Sequence, residues 1–93
     1  MVLLDDMGKP RRSFELIKPV TRIGRDSNND VILNDKTVSR VHCFIEIIED
    51  EITIVEEDAV NGVYLNDYPR ARGTLEDGMV VRLGKIFLCV KLI

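Results

Sequence analysis

The sequence predicts an all-β domain, a sandwich of antiparallel sheets, on three observations. β-Branched residues crowd where a helix would otherwise fit: Ile45, Ile47, Ile48, Ile52, Thr53, Ile54 and Val55 all fall between Cys43 and Glu57. Branching at Cβ costs side-chain freedom in a helix but packs well on a pleated sheet. Short apolar runs alternate with polar turns bearing Gly, Asn, Asp or Pro along the whole chain, the spacing of a sandwich rather than of βα units. No stretch carries a helical period of useful length.

Taken in order, Val2 to Leu4 is the first strand and Asp5 to Pro10 a polar turn. Ser13 to Ile17 is the second strand, with Phe14 and Leu16 on one face and Glu15 on the other. Pro19 punctuates, and Val20 to Gly24 follows with Ile23 in the core. Residues 25–30 are too polar to pair, Val31 to Leu33 is a short fourth strand, and Asn34 to Val41 is a loop. Cys43 to Ile48 and Ile52 to Val55 are strands joined at Glu49-Asp50-Glu51. Residues 56–62 form a loop ending in Asn61-Gly62, both tolerant of left-handed backbone angles. Val63 to Leu65 is a strand, Tyr68 to Thr74 an irregular passage, and Leu75 to Gly78 a turn. Met79 to Leu83 and Ile86 to Ile93 close the chain across Gly84-Lys85.

At 93 residues the chain is one domain spanning residues 1–93, or a piece of that size from a longer protein. Charged residues make 31% and the net charge is −3, an ordinary balance that argues against disorder and against a broad nucleic-acid surface. Trp is absent and aromatics make 5%, too few for base-stacking platforms. Cys43 and Cys89 each sit inside an apolar run and read as reduced thiols of a cytoplasmic protein. No apolar run is long enough to span a membrane, and the first residues turn acidic too early for a signal peptide.

The chemistry concentrates in three loops. Arg25 follows Gly24, Ser39-Arg40 precedes the only histidine, His42, and Asn61-Gly62 ends the third loop. Guanidinium forks and a hydroxyl offered from neighbouring loops make a receptor for a doubly charged oxyanion, because arginine stays charged and donates several bonds from one plane. Ser39 can equally cap its own turn, and the two uses are compatible.

These motifs, in this order and spacing, resemble the signature of the forkhead-associated (FHA) domain. The likeness extends from Val2–Leu4 through Asn29-Asp30-Val31 to Leu75-x-Asp77-Gly78 and Val80-x-Arg82-Leu83-Gly84. The resemblance implies a twisted sandwich of eleven strands that binds phosphothreonine peptides or proteins through loops at one end, mediates phosphorylation-dependent association, and is not an enzyme. By matching positions, Arg25, Ser39 and Arg40 would contact the phosphate. Asn61 would hold the peptide main chain, with Thr37 and Val60 flanking the peptide. Gly24 and Gly62 would be structural, and His42 would brace the loops from inside. Val60 departs from the family, where a serine or threonine often precedes Asn-Gly; a valine cannot donate, and one lost donor costs about 1–3 kcal/mol. That departure supports an alternative, an FHA-fold assembly domain that works without phosphate.

Other motifs fail. Asp26-x-Asn28-x-Asp30 imitates a calcium loop, but Val31 stands where the turn glycine belongs. Gly24 to Asp30 lacks the further glycines of a dinucleotide fingerprint. No cofactor, metal, nucleic acid or membrane is expected. Lys9, Arg11 and Arg12 read as a solvated basic turn around Pro10. Glu56-Glu57-Asp58, beside Asn61, is expected to disfavour acidic peptides.

Overall fold

The computed structural model describes residues 2–6 and 10–92, with side chains described from Ser13 to Leu92. Among the described residues eleven strands form: β1 (Val2–Asp6), β2 (Pro10–Glu15), β3 (Val20–Gly24), β4 (Val31–Ile32), β5 (Cys43–Ile48) and β6 (Glu51–Glu56) are followed by β7 (Val63–Leu65), β8 (Tyr68–Pro69), β9 (Arg72–Thr74), β10 (Val80–Leu83) and β11 (Ile86–Lys91). One sheet runs β2-β1-β11-β10-β7-β8 and the other β4-β3-β5-β6-β9. No helix among the described residues is long and apolar enough to cross a membrane.

Alternation sets the layers. Along β5, Cys43 and Ile45 are buried while Phe44 and Glu46 are half-buried on the outer face, and Ile54 on β6 pairs with Ile45. From the facing sheet, Val63, Val81, Leu83, Leu88 and Val90 complete the core. Burial of this kind is worth about 25 cal/mol per Å² of apolar surface removed from water. Cys43 is fully buried and Cys89 half-buried; both are free, and they lie on different sheets. Burial, with Glu56 and Glu57 nearby, pushes the Cys43 thiol well above its ordinary range, so it behaves as a small apolar side chain.

Four expectations need correction. The sheets are not wholly antiparallel: β3 and β4 run parallel, Ile23 beside Val31 and Gly24 beside Ile32. The intervening loop folds back on β3, where Asp30 N donates to Arg22 O (3.0 Å) and Leu33 N to Gly24 O (2.9 Å). The second strand starts and ends earlier than expected, at Pro10 and Glu15, because its pairing with β1 fixes Glu15 opposite Val2; Leu16 is still buried, while Ile17 is exposed. The passage from Tyr68 to Thr74 is not irregular but holds β8 and β9. β9 pairs with β6, Gly73 opposite Ile54, and a Cβ on Gly73 would lie 2.5 Å from Leu65 Cδ1. The strand edges also shift by a residue or two at β1, which runs on through Asp5 and Asp6 of the expected turn, and at β4, β6, β10 and β11. Lys9 and Ile93 lie outside the described residues, as do the side chains of Arg11 and Arg12.

Candidate anion-binding end

Strand register brings the three loops together. Ile23 pairs with Cys43, and Cys43 with Glu56. The chain therefore leaves β3, enters β5 and leaves β6 at the same end of the sandwich. Loops 25–30, 33–42 and 57–62 all begin or finish there.

Backbone bonds then lock loop to loop. Arg25 N donates to Ser39 O (3.0 Å), Asp26 N to Arg40 O (3.1 Å), His42 N to Ile23 O (2.9 Å) and Glu57 N to His42 O (2.9 Å). Gly24 is required by a close approach: a Cβ would collide with the Arg40 carbonyl oxygen. Asn29, buried, explains that approach. Its Nδ2 donates to Arg40 O (2.7 Å) and Asp26 O (2.8 Å), tying the first loop to the second. Sequence reasoning placed Asn29 only at a strand entrance; a polar residue before an apolar pair does not announce burial.

Arg25 is exposed, yet its Nε donates to Val38 O at 3.1 Å. That bond anchors the plane of the guanidinium and leaves its two terminal nitrogens without an ion-pair partner among the described residues. Ser39 Oγ accepts from Val60 N at 3.1 Å. A hydroxyl whose lone pair is so engaged keeps its proton for an outside acceptor. Val60 thus enters the site through its backbone, while its side chain is 91% exposed on the rim. Arg40 is exposed; its carbonyl is the junction that Asp26 and Asn29 share.

His42 is fully buried. Ser39 N donates to Nδ1 (3.0 Å), and a main-chain N–H can only donate, so Nδ1 is unprotonated. The ring proton therefore sits on Nε2 and is donated to Gly62 O at 2.7 Å. One imidazole joins the second and third loops, and neither nitrogen is left for proton transfer. Gly62 takes φ +67°, the left-handed region.

Asn61 is exposed, and its Nδ2 donates to Thr37 O at 2.7 Å. Thr37 is placed beside it with its polar atoms engaged internally. Its N and Oγ1 both donate to Asp35 Oδ1 (2.8 and 2.5 Å), and Oγ1 accepts from Lys85 N (2.8 Å). The Thr37 side-chain and backbone bonds hold the Asp35 carboxyl below its ordinary 3.8. A depressed carboxyl stabilises the fold above its unfolded value and loses that contribution as pH falls through the lowered folded value. The stability gap between wild type and Asp35→Asn should therefore be full at neutral pH and close below pH 3.8, as read by urea midpoints at each pH. A gap that stays constant into acid would contradict the Asp35–Thr37 joint.

Beyond Asn61 lies a cleft of about 250 Å³ lined by Thr37, Asn61, Tyr64, Arg82, Gly84 and Lys85. Arg82 stacks over the Tyr64 ring at 4.1 Å, and its buried Nε has no hydrogen-bond partner. From sequence Arg82 carried part of the family likeness but no site role, and Lys85 only a turn; the signal was the alternation that puts Arg82 opposite Tyr64. Two of the three acids beside Asn61 are engaged: Glu56 Oε1 accepts from Val63 N (3.2 Å), and Glu57 lies 3.6 Å from Arg22. Asp30, of the calcium-like triplet, accepts from Arg22 N (2.9 Å) and pairs with Lys18 (2.6 Å), which lowers its carboxyl range. A larger cleft, about 740 Å³, lies at the other end, around the β5–β6 turn. Glu46, Glu49, Asp50, Glu51 and Glu76 line it against one cation, Arg72, so its net charge repels an oxyanion; donor chemistry, not size, marks the candidate anion-binding end.

This is the architecture of a two-sheet domain that presents donors from three loops at one end. Residues 7–92 match the family model described as "Inner membrane component of T3SS, cytoplasmic domain". The oxoglutarate dehydrogenase inhibitor of Corynebacterium efficiens is 39% identical over 75 residues, 81% of this chain and 53% of its own length. The glycogen accumulation regulator GarA of Mycolicibacterium smegmatis is 36% identical over 81% of this chain and 48% of its own. Among solved structures, an FHA domain studied for phosphothreonine-dependent interactions superposes with TM-score 0.92 at 29% identity, covering 99% of this chain and 95% of its own. The FhaA FHA domain, solved with the intracellular domain of Rv3910, gives 0.88 at 30%, covering 95% and 96%. The chain belongs to the forkhead-associated (FHA) domain family. It spans about half the length of the curated relatives it matches.

Proposed function

We propose that this chain is a phosphothreonine-peptide recognition module that mediates phosphorylation-dependent protein association. One observation carries the reading. The Arg25 guanidinium and the Ser39 hydroxyl stand on loops bonded to each other, each with its inner atom anchored and its donors left for a ligand. Phosphate brings nearly two charges and three acceptors where threonine offers a neutral hydroxyl, so the site discriminates by charge. Arg40 adds a second cation from the same loop, and the Asn61 amide, whose Nδ2 is tied to Thr37 O, would offer its oxygen to the peptide main chain. Gly24, His42 and Gly62 hold the loops, while Thr37 and Val60 would flank the peptide. Relatives named as an inhibitor and a regulator accord with a binding role rather than an enzymatic one. The family model described as a cytoplasmic domain, together with two free thiols, accords with the cytoplasm.

Titration against a peptide in phosphothreonine, phosphoserine and unmodified forms tests the reading; saturable binding of the phosphothreonine form alone is expected. Binding that ignores phosphorylation would favour the assembly alternative, for which the exposed Val60 and Val41 side chains are the supporting surface.

The flanking preference follows from the charges. With Glu56 and Glu57 engaged and Arg82 and Lys85 open beside Asn61, a peptide running into that cleft should gain from an acidic residue. This reverses the preference read from the acidic run alone. Replacing that acid by lysine should weaken binding by roughly threefold to tenfold. An array that favours basic residues at every flanking position would contradict it.

A further inference from the structure

We propose that Asn61–Gly62 is a self-modifying joint, in which conversion of the Asn61 amide to a carboxylate switches off the anion-binding end. The functional consequence rests on the recognition reading above; the chemistry does not.

Asn61-Gly62 is the only Asn-Gly pair in the sequence. Asn61 is exposed, and Gly62 has no side chain to shield its main-chain nitrogen. That nitrogen gives its proton to solvent and bonds to Asn61 Cγ; the Cγ–Nδ2 bond breaks and ammonia leaves. Water then opens the five-membered imide at either carbonyl, giving aspartate or isoaspartate, with no oxidant or reductant involved. Two contacts restrain the reaction: Asn61 Nδ2 donates to Thr37 O (2.7 Å) and Gly62 N to Ala59 O (3.2 Å). Thr37 is itself held by Asp35 and by Lys85 N. The rate is therefore set by how often the Thr37 tie opens, and a peptide seated on Asn61 slows it.

The product is incompatible with the site. A carboxylate cannot donate to the Thr37 carbonyl and brings negative charge to the rim that would receive the main chain of a peptide carrying a phosphate. Isoaspartate also adds a main-chain atom just before Gly62, whose carbonyl receives the His42 proton. The modification thus reaches the histidine brace as well as the rim.

The test is peptide mapping by mass of the full chain held in mildly alkaline buffer. Asn61 should convert before Asn28, Asn34 and Asn66, more slowly than in a free peptide spanning residues 57–66. Conversion should be roughly fivefold faster in Asp35→Ala, which releases Thr37. Asn61→Asp, made directly, should bind a phosphothreonine peptide roughly tenfold or more weakly than wild type. Asn61 left intact after the free peptide has fully converted, no acceleration in Asp35→Ala, or unchanged affinity of Asn61→Asp would each overturn the proposal. The mass measurement needs no phosphopeptide. Failure of wild type to bind one would count against the recognition reading, while conversion at Asn61 would still be decided.

Discussion

Arg25→Ala is expected to abolish measurable phosphothreonine-peptide binding while leaving the fold intact. Arg25 supplies two free terminal nitrogens from a guanidinium whose Nε is fixed on Val38 O. Charge-assisted bonds of this kind contribute about 1.5–3 kcal/mol each. Losing two therefore weakens binding by roughly a hundredfold or more. The cost to stability is small, because the side chain is exposed and the deletion removes one bond to a carbonyl, about 1 kcal/mol or less. Calorimetric titration alongside thermal melting separates the two effects. Arg25→Lys, which keeps charge but loses the planar fork, should fall between wild type and alanine. Wild-type affinity in the alanine variant would remove Arg25 from the site.

His42→Ala should fail in the opposite order, losing stability first and binding as a consequence. Its ring is fully buried and joins Ser39 N to Gly62 O. Truncation leaves that donor and that acceptor without partners and opens a cavity, together about 3–5 kcal/mol. Against a total stability of about 5–15 kcal/mol for a domain of this kind, the variant sits near unfolding. The melting temperature should drop by roughly 15 °C or more. An unaltered melting temperature would mean that the loops are held without the histidine.

Much of the fold was legible before any coordinates. Strands β3, β5 and β7 fall where periodicity and turn residues put them, because Ile23, the Cys43–Ile48 run and Val63–Leu65 alternate cleanly between punctuating residues. Strands β8 and β9 were not legible. They are two and three residues long, and they exist through pairing, β8 with β7 and β9 with β6. The parallel turn-back of β4 escaped for the same reason, since it is fixed by Asp30 and Leu33 bonding to β3.

Within the candidate site, Gly24, Arg25, Ser39, Arg40, His42, Asn61 and Gly62 were readable as a motif because their order and spacing resemble the FHA signature. Asn29, Arg82 and Lys85 were not. Asn29 matters through burial against the Arg40 carbonyl, and Arg82 through stacking on Tyr64 across a strand pair. Asn29 and Arg82 stand among the positions that carry the family likeness, but neither the burial nor the stacking can be read from local sequence.

The amino-acid sequence by itself determined the all-β class, the order of most strands and the identity of the donors, since alternation, branching and side-chain chemistry are local properties. Tertiary structure alone decided which donors remain free for a ligand. Whether a guanidinium, a hydroxyl or a carboxylate faces outward depends on what its other atoms bond to. Here those partners, Val38 O for Arg25, Val60 N for Ser39 and Arg22 for Glu57, lie many residues away and meet only when the sheets pair.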